Sequence, residues 1–243
     1  AQLATTAKRD GDHYVVNGSK MFITSGMRAD WYTVAVRTGG PGAAGVSLLA
    51  IERDTPGFSR TELRKMGWWA SDTAELHFDD CRVPASNLIG AEGQAFPLIM
   101  RNFNGERLTL AASACGAAQA CLEDAVAWAR ERKTFGQPLI AHQVIRHKLV
   151  DMAERIEATR ALIDDLASRL DGGEQPVAQT AMAKNYAART MQFCADAAVQ
   201  ILGGSGYMRG VRVERIYREV KVMMIGGGAE EVLKDLAARQ LGF

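Results

Sequence analysis

The spacing of apolar residues changes near residue 90, and that change confines the chain to a two-part architecture. Before it, β-branched and aromatic runs are short and broken by turn signals. Leu3 to Lys8 reads as a strand ending at Asp10-Gly11, a hairpin signal. Tyr14-Val15-Val16 ends at Asn17-Gly18, a second hairpin signal, and Lys20 to Thr24 reads as the returning strand. Trp31 to Arg37, Val46 to Glu52 and Glu75 to Phe78 are further short runs, with Gly39-Gly40-Pro41-Gly42 a loop. Such spacing predicts an antiparallel barrel or sandwich. From about residue 92 the period becomes helical. Glu106 to Arg132 carries Leu108, Ala111, Ala112, Cys115, Ala118, Leu122 and Val126 on roughly one side, and Gly136-Gln137-Pro138 punctuates its end. A second helix is expected from about Ile140 to Leu170. A third is expected from Pro176 to Gly203-Gly204, with short helices near Val213 to Lys221 and Glu230 to Leu241. Long helices with short connections predict an antiparallel bundle. The expectation is therefore an α+β chain: a β domain over 1–88, then a helical bundle domain over 89–243.

Charge and cysteine usage exclude several function classes. Lys plus Arg number 29 against 28 for Asp plus Glu, so the net charge of +1 leaves no footprint for nucleic acid or an anionic membrane. No run of 18 apolar residues exists, and no membrane span is expected. The four cysteines form no CxxC pair and the four histidines are scattered, which points away from a metal site or a disulfide framework. A reducing compartment is expected, cytoplasmic in a bacterial-type cell. The opening residues read as neither a signal peptide nor a transit helix, and the first strand opens with no lead-in, as though further chain preceded it. The long helices carry more apolar stripe than one small bundle buries. The excess either meets other subunits or packs on the β half.

Several segments can carry chemistry. Glu106 and Arg107 open the first expected helix, where the dipole favours a carboxylate. The same position suits a general base at a pocket mouth. Arg132-Lys133-Thr134-Phe135-Gly136 is either a helix end complemented by basic residues, or an anion site with Phe135 against an aromatic ring. Gln200 to Tyr207 is a glycine-rich helix exit, and Gly226-Gly227-Gly228 precedes the last helix, where backbone N–H groups can cradle an anion. Met21 to Gly26 ends a strand with an aromatic and a hydroxyl. Trp68-Trp69 is a lid or an interface patch.

Taken together, these motifs resemble the flavin-dependent acyl-CoA dehydrogenases. Asn17-Gly18-Ser19-Lys20-Met21-Phe22-Ile23-Thr24 is similar to the family's NGxKxxIT segment. Asp54 to Gly57, Met66-Gly67, Ser71-Asp72-Thr73 and Val83-Pro84 fit the same β domain. Glu131 to Gly136 resembles ERKTFG, His142-Gln143 the HQ after it, and Gln200 to Tyr207 the QxxGGxGY segment. Tyr217-Arg218-Glu219 and the glycine loop fit the family's end.

The resemblance implies FAD as cofactor, and removal of an α-proton from an acyl-CoA thioester by a carboxylate. A hydride leaves the β-carbon, giving a trans-2-enoyl-CoA, and an electron-transferring flavoprotein is the implied acceptor. Many members carry the base in the loop before the last helix, where this chain has Gly227. A smaller branch, including the long-chain and isovaleryl enzymes, carries it in an ERL segment, which Glu106-Arg107-Leu108 resembles. Glu106 is thus the implied base, with Glu230 and Glu231 rivals by proximity.

By the same resemblance Phe22, Ile23 and Thr24 flank the flavin ring. Gln200, Ile201, Leu202, Gly203, Gly204, Arg132, Phe135 and Gln143 reach the rest of FAD across a subunit interface, implying a homodimer or homotetramer. Ala229, Glu230 and Glu231 contact FAD at the last helix, Ala229 replacing the usual hydroxyl residue. Asn104, Gly105, Arg107, Gly227 and Gly228 line the thioester and pantetheine end. The family's N-terminal helices and first β strands have no counterpart here, so the chain reads as a fragment. Rival readings are a flavin oxidase or monooxygenase of the same fold, and a non-catalytic oligomerising fragment.

Overall fold

The computed structural model describes residues 3–243; Ala1 and Gln2, where the first strand was expected to open, lie outside the described residues. Two compact units divide the chain, one reaching Asn102 and one spanning Phe103–Phe243. Each is described by itself.

The first unit is one seven-stranded sheet. Its strands are β1 (Thr6–Asp10), β2 (His13–Thr24), β3 (Trp31–Arg37), β4 (Val46–Glu52), β5 (Phe58–Glu62), β6 (Thr73–Pro84) and β7 (Leu88–Ile89), in the order β5-β6-β2-β1-β3-β4-β7. All pairings are antiparallel except β1 with β3, which touch in parallel at Thr6 and Arg37, so the sheet is mixed. Alternation buries Tyr14 and Val16, Val34 and Val36, Leu49 and Ile51, Leu76 and Phe78 on the core side. Phe58 bridges Tyr32, edge-on at 4.9 Å, and Phe78, stacked at 5.0 Å.

Asn17-Gly18 is not a hairpin. β2 runs straight through it, and the register against β6 shifts between Val16 and Gly18, which makes a β-bulge. Asn17 Nδ2 donates to Asp80 Oδ1 at 3.0 Å, and the Asp80 N–H donates to Asn17 Oδ1 at 2.9 Å. Gly18 has φ +130°, and a Cβ there would lie 2.8 Å from Thr5 Cα, so only glycine fits. A second register shift separates Lys20 from Ile23. Within it Phe22 takes φ +62° and leaves its ring 77% exposed.

The second unit is helical. Its helices are α1 (Ala95–Glu131, whose first turns belong to the sheet unit), α2 (Gln143–Asp171), α3 (Val177–Leu202), α4 (Arg212–Ile225) and α5 (Glu230–Leu241). A small hairpin, β8 (Lys133–Thr134) with β9 (Gln137–Pro138), follows α1. α3 is central, packing against α2, α4 and α5. Its buried face is rich in alanine (Ala181, Ala187, Ala188, Ala195 and Ala198 among others), which lets neighbours approach closely.

α1 begins well before Glu106, so that residue sits about three turns inside the helix rather than in its first turn. The helix buries Ala111, Ala114, Cys115, Ala118, Cys121, Ala125 and Ala129, whereas Ala112 is exposed. All four cysteines are free and buried, and burial pushes the Cys81 thiol up to about 11 and those of Cys121 and Cys194 to about 12. No helix among the described residues is long and apolar enough to cross a membrane, and no cluster of three His, Cys, Asp or Glu suited to a metal ion occurs among them.

Candidate active site

The glycine loop between α4 and α5 is the best-built feature of the helical unit. Gly226 closes α4, its N–H donating to the Val222 carbonyl at 2.7 Å. Gly227 and Gly228 then take φ +69° and φ +115°. A Cβ at Gly227 would lie 2.6 Å from Leu110 Cδ1, and one at Gly228 would lie 2.9 Å from Leu233 Cδ2. Side chains from α1 and α5 thus fill the space a residue with a Cβ would claim. Glu106 precedes Leu110 by four residues, so the two share one face of α1. That face is the one applied to the loop, and the Glu106 carboxylate is exposed on it.

Two buried cations hold the loop's carbonyls. Arg107, 8% exposed, donates from Nε to the Gly227 carbonyl at 3.1 Å and from Nη1 to Asn104 Oδ1 at 3.0 Å. Its guanidinium also lies 5.8 Å from the Phe103 ring centre. The Arg107 head is therefore committed to the loop and to Asn104, where the resemblance placed it beside the thioester. Burial lowers its pKa, with Glu106 opposing. Lys184 on α3, 1% exposed, donates from Nζ to the Gly228 carbonyl at 2.9 Å. Burial pushes its pKa down to about 8, Arg107 adds to the fall and Glu230 opposes it.

The next residue, Asn185, donates from Nδ2 to the Glu230 carbonyl at 3.1 Å, while its Oδ1 is buried with no partner among the described residues. The Glu230 carboxylate pairs with Lys234 at 2.7 Å and Arg189 at 3.6 Å. The Lys234 hydrogen bond does most to hold it below the usual carboxylate range. Those pairings tie Glu230 to Lys234 within α5 and to Arg189 on α3, and Glu231 is exposed beside it in the first turn. Ala229 is the N-cap and supplies no side-chain acceptor. Gly105 has open space around it. The structure therefore gathers Asn104, Arg107, Gly227, Gly228 and Glu230 from the expected set, with Glu106 on the adjoining face. It adds Lys184 and Asn185; their sequence signal is a lysine on a helix face rich in alanine, at i+3 from Ala181.

The remaining expected residues fall into separate groups. Arg132 precedes the β8–β9 hairpin and Phe135 sits in its turn. Phe135, at φ +50°, is 98% exposed, and its ring meets that of His142 edge-on at 6.2 Å. His142 also bonds Thr134 Oγ1 through Nε2 at 3.0 Å and is the N-cap of α2, so Gln143 opens that helix, exposed, beside the hairpin. At the exit of α3, Ile201 and Leu202 are buried. Gln200, Gly203 and Gly204 are exposed there, and a Cβ at either glycine would meet nothing within 4 Å. In the sheet unit Phe22 is exposed at its bulge, Ile23 packs against the core and Thr24 is exposed at the strand end. Trp68 takes φ +53°, and the exposed Trp69 donates its indole N–H to the Lys65 carbonyl at 2.9 Å.

Residues 93–242 match the family profile described as acyl-CoA dehydrogenase, C-terminal domain, and residues 1–81 that described as acyl-CoA dehydrogenase, middle domain. The chain belongs to the acyl-CoA dehydrogenase family. It is 42% identical to an isobutyryl-CoA dehydrogenase of Dictyostelium discoideum over 98% of this chain and 58% of that protein. It is 39% identical to a cyclohexane-1-carbonyl-CoA dehydrogenase of Geobacter metallireducens over 98% of this chain and 63% of that protein. Among solved structures, a probable acyl-CoA dehydrogenase of Mycobacterium abscessus superposes with a TM-score of 0.98 at 50% identity, over 100% of this chain and 65% of that one. The chain thus spans about three fifths of the length of the curated relatives it matches.

Proposed function

We propose that this chain forms the middle (1–88) and C-terminal (89–243) domains of a flavin-dependent enzyme that dehydrogenates an acyl-CoA thioester, with Glu106 as the base. The observation that carries the assignment is the Gly227 seat. A side chain there would clash with Leu110, while Glu106 stands one turn earlier on the same face of α1. A carboxylate at the loop position would have to displace the end of the Leu110 side chain and take a left-handed φ, whereas the helix presents one beside the loop.

The residues present fit FAD. In the sheet unit Phe22 and, separately, in the helical unit Phe135 are turned outward by backbones in the left-handed region, and each suits stacking on a planar ring. Gly203 and Gly204 leave open backbone for close approach, and the exposed Arg132 suits a phosphate. Gln143, Gln200, Ala229 and Glu231 complete the set that would hold the cofactor. FAD, when bound, would supply the acceptor for the hydride that leaves the substrate's β-carbon. A Glu106 carboxylate oxygen takes the proton from the α-carbon, and Leu110 keeps water from that side. Arg107 and Asn104 keep the loop in place so that its backbone N–H groups meet the charge developing on the thioester oxygen. An electron-transferring flavoprotein is the electron acceptor in this reading. The protein is a homodimer or homotetramer, and its four buried thiols suit a reducing compartment.

The test is an anaerobic visible spectrum of the FAD-loaded protein, titrated with a panel of acyl-CoAs, for wild type and Glu106→Gln. The panel includes isobutyryl-CoA, since two relatives are named for acyl groups branched at the α-carbon. Bleaching of the flavin band in wild type but not in the variant supports the reading. Equal bleaching in both removes Glu106 from the chemistry, and no flavin uptake removes the reading for this chain.

A further inference from the structure

Lys184 is a costly residue to keep where it is. It is 1% exposed on the alanine face of α3, and its ammonium meets a backbone carbonyl. A lysine so buried pays a desolvation penalty that a methionine of similar length would not. Burial and Arg107 both pull its pKa downward, which marks the same cost. Packing alone therefore does not account for the residue; its bond to Gly228 does.

The geometry of that bond has a consequence. In a trans peptide the carbonyl and the following N–H point in opposite directions, and the chain holds no cis peptides among the described residues. Tying the Gly228 carbonyl to Lys184 on α3 therefore turns the Ala229 N–H away from α3. Arg107 does the same one peptide earlier, holding the Gly227 carbonyl and so setting the Gly228 N–H. A carbonyl that accepts a bond from a cation also makes its own peptide N–H a stronger donor. Glycine at both positions leaves these planes free to rotate, so an external anchor is required. Ala229 offers no cap to the first turn of α5, whose N–H groups remain available to a ligand.

We propose that Lys184 is a positioning residue: through the Gly228 carbonyl it fixes the Gly228–Ala229 peptide plane and aims the Ala229 N–H and the first turn of α5 at an acceptor oxygen of the bound ligand. The inference rests on the reading that this loop faces the cofactor and thioester, and it goes beyond that reading by naming what orients the loop. Lys184 itself touches no ligand in this account.

The experiment compares wild type, Lys184→Met and Lys184→Arg by amide hydrogen exchange with mass spectrometry, first without ligand and then with FAD and acyl-CoA. In Lys184→Met, exchange over 233–236, which opens with the Leu233 N–H bonded to the Ala229 carbonyl at 3.0 Å, should rise about tenfold or more, the scale of one lost charged hydrogen bond, while the rest of α3 stays as protected as in wild type. Lys184→Arg, which keeps a donor, should restore part of that protection. With FAD and acyl-CoA added, the methionine variant should lose kcat with a smaller change in KM, and the arginine variant should recover part of it. Unchanged exchange over 233–236 in Lys184→Met overturns the proposal. So does loosening spread evenly along α3, which marks a packing residue. Unfolding of Lys184→Met together with full protection over 233–236 and activity in Lys184→Arg counts for it, whereas unfolding of both counts against it. Raised exchange over 233–236 in a protein that takes up neither FAD nor acyl-CoA, in wild type as well, overturns the functional reading and leaves the Lys184 anchor in place.

Discussion

Two stretches of the chain leave ordinary backbone geometry, and they do so in opposite ways. At Phe22 a residue with a large side chain adopts φ +62° inside a strand and sends its ring outward. At Gly227 and Gly228 the chain adopts similar angles with no side chain at all, and Leu110, Leu233, Arg107 and Lys184 come in to occupy and hold the space. One place exports an aromatic surface, and the other imports anchors for its backbone. A non-glycine in the left-handed region carries a steric cost of about 1–2 kcal/mol, and the Phe22 ring, being exposed, gains no core packing to offset it. The glycine loop carries no such steric cost. Its cost is chain entropy and two buried cations, which a loop that must present N–H groups in fixed directions explains.

The largest effect expected from breaking this contrast is at the loop. Gly227→Glu forces a Cβ onto Leu110 and a left-handed angle on glutamate, and should cost about 2–4 kcal/mol by denaturant unfolding. Adding Leu110→Ala should recover part of that loss by removing the clash; no recovery would mean Leu110 is not what closes the seat. Next in size is a pH effect. Lys184 sheds its proton near 8 in the folded protein and near 10.5 when unfolded. The unfolded chain therefore binds the extra proton between those values, and this group adds stability as pH rises through them. The stability of wild type relative to Lys184→Met should rise by up to about 2–3 kcal/mol across that window. A flat difference would mean the lysine is solvated. At the bulge, Phe22→Gly should leave stability within about 1 kcal/mol of wild type, because the ring packs little, and should weaken FAD binding about three- to tenfold. A large loss of stability there would show the ring to be core rather than exported. Smallest, Asn17→Ala removes the paired bonds to Asp80 across the first bulge and should cost about 1 kcal/mol with FAD affinity unchanged.

Much of this was legible in the sequence where local pattern and tertiary packing agree. The alternation over Trp31–Arg37 and Val46–Glu52 gave strands with those bounds, and the pattern over Glu230–Leu241 gave α5. Asn17-Gly18 misled because hairpin turns and bulges ask for the same positive φ, and only pairing with β6 separates them. β5 was missed because Phe58–Glu62 is a largely polar strand at the sheet's edge. The start of α1 was placed too late, at Glu106, because Asn102, Asn104 and Gly105 before it have low helix propensity, yet the helix runs through them from Ala95. Glu106 and the glycine loop stood out as residues. What anchors the loop did not: Lys184 lies in sequence more than forty residues from the carbonyl it holds, and only the packing of α3 on α5 brings the two together.

The central claim is that the proton-accepting carboxylate stands on α1 and not in the loop. The most direct measurement is deuterium uptake at the α-carbon of a bound acyl-CoA in D2O, read by mass spectrometry, for FAD-loaded wild type, Glu106→Gln and Glu231→Gln. The account predicts that Glu106→Gln slows uptake by about a hundredfold or more while Glu231→Gln leaves it unchanged. Uptake at the wild-type rate in Glu106→Gln, or its loss in Glu231→Gln, would contradict it.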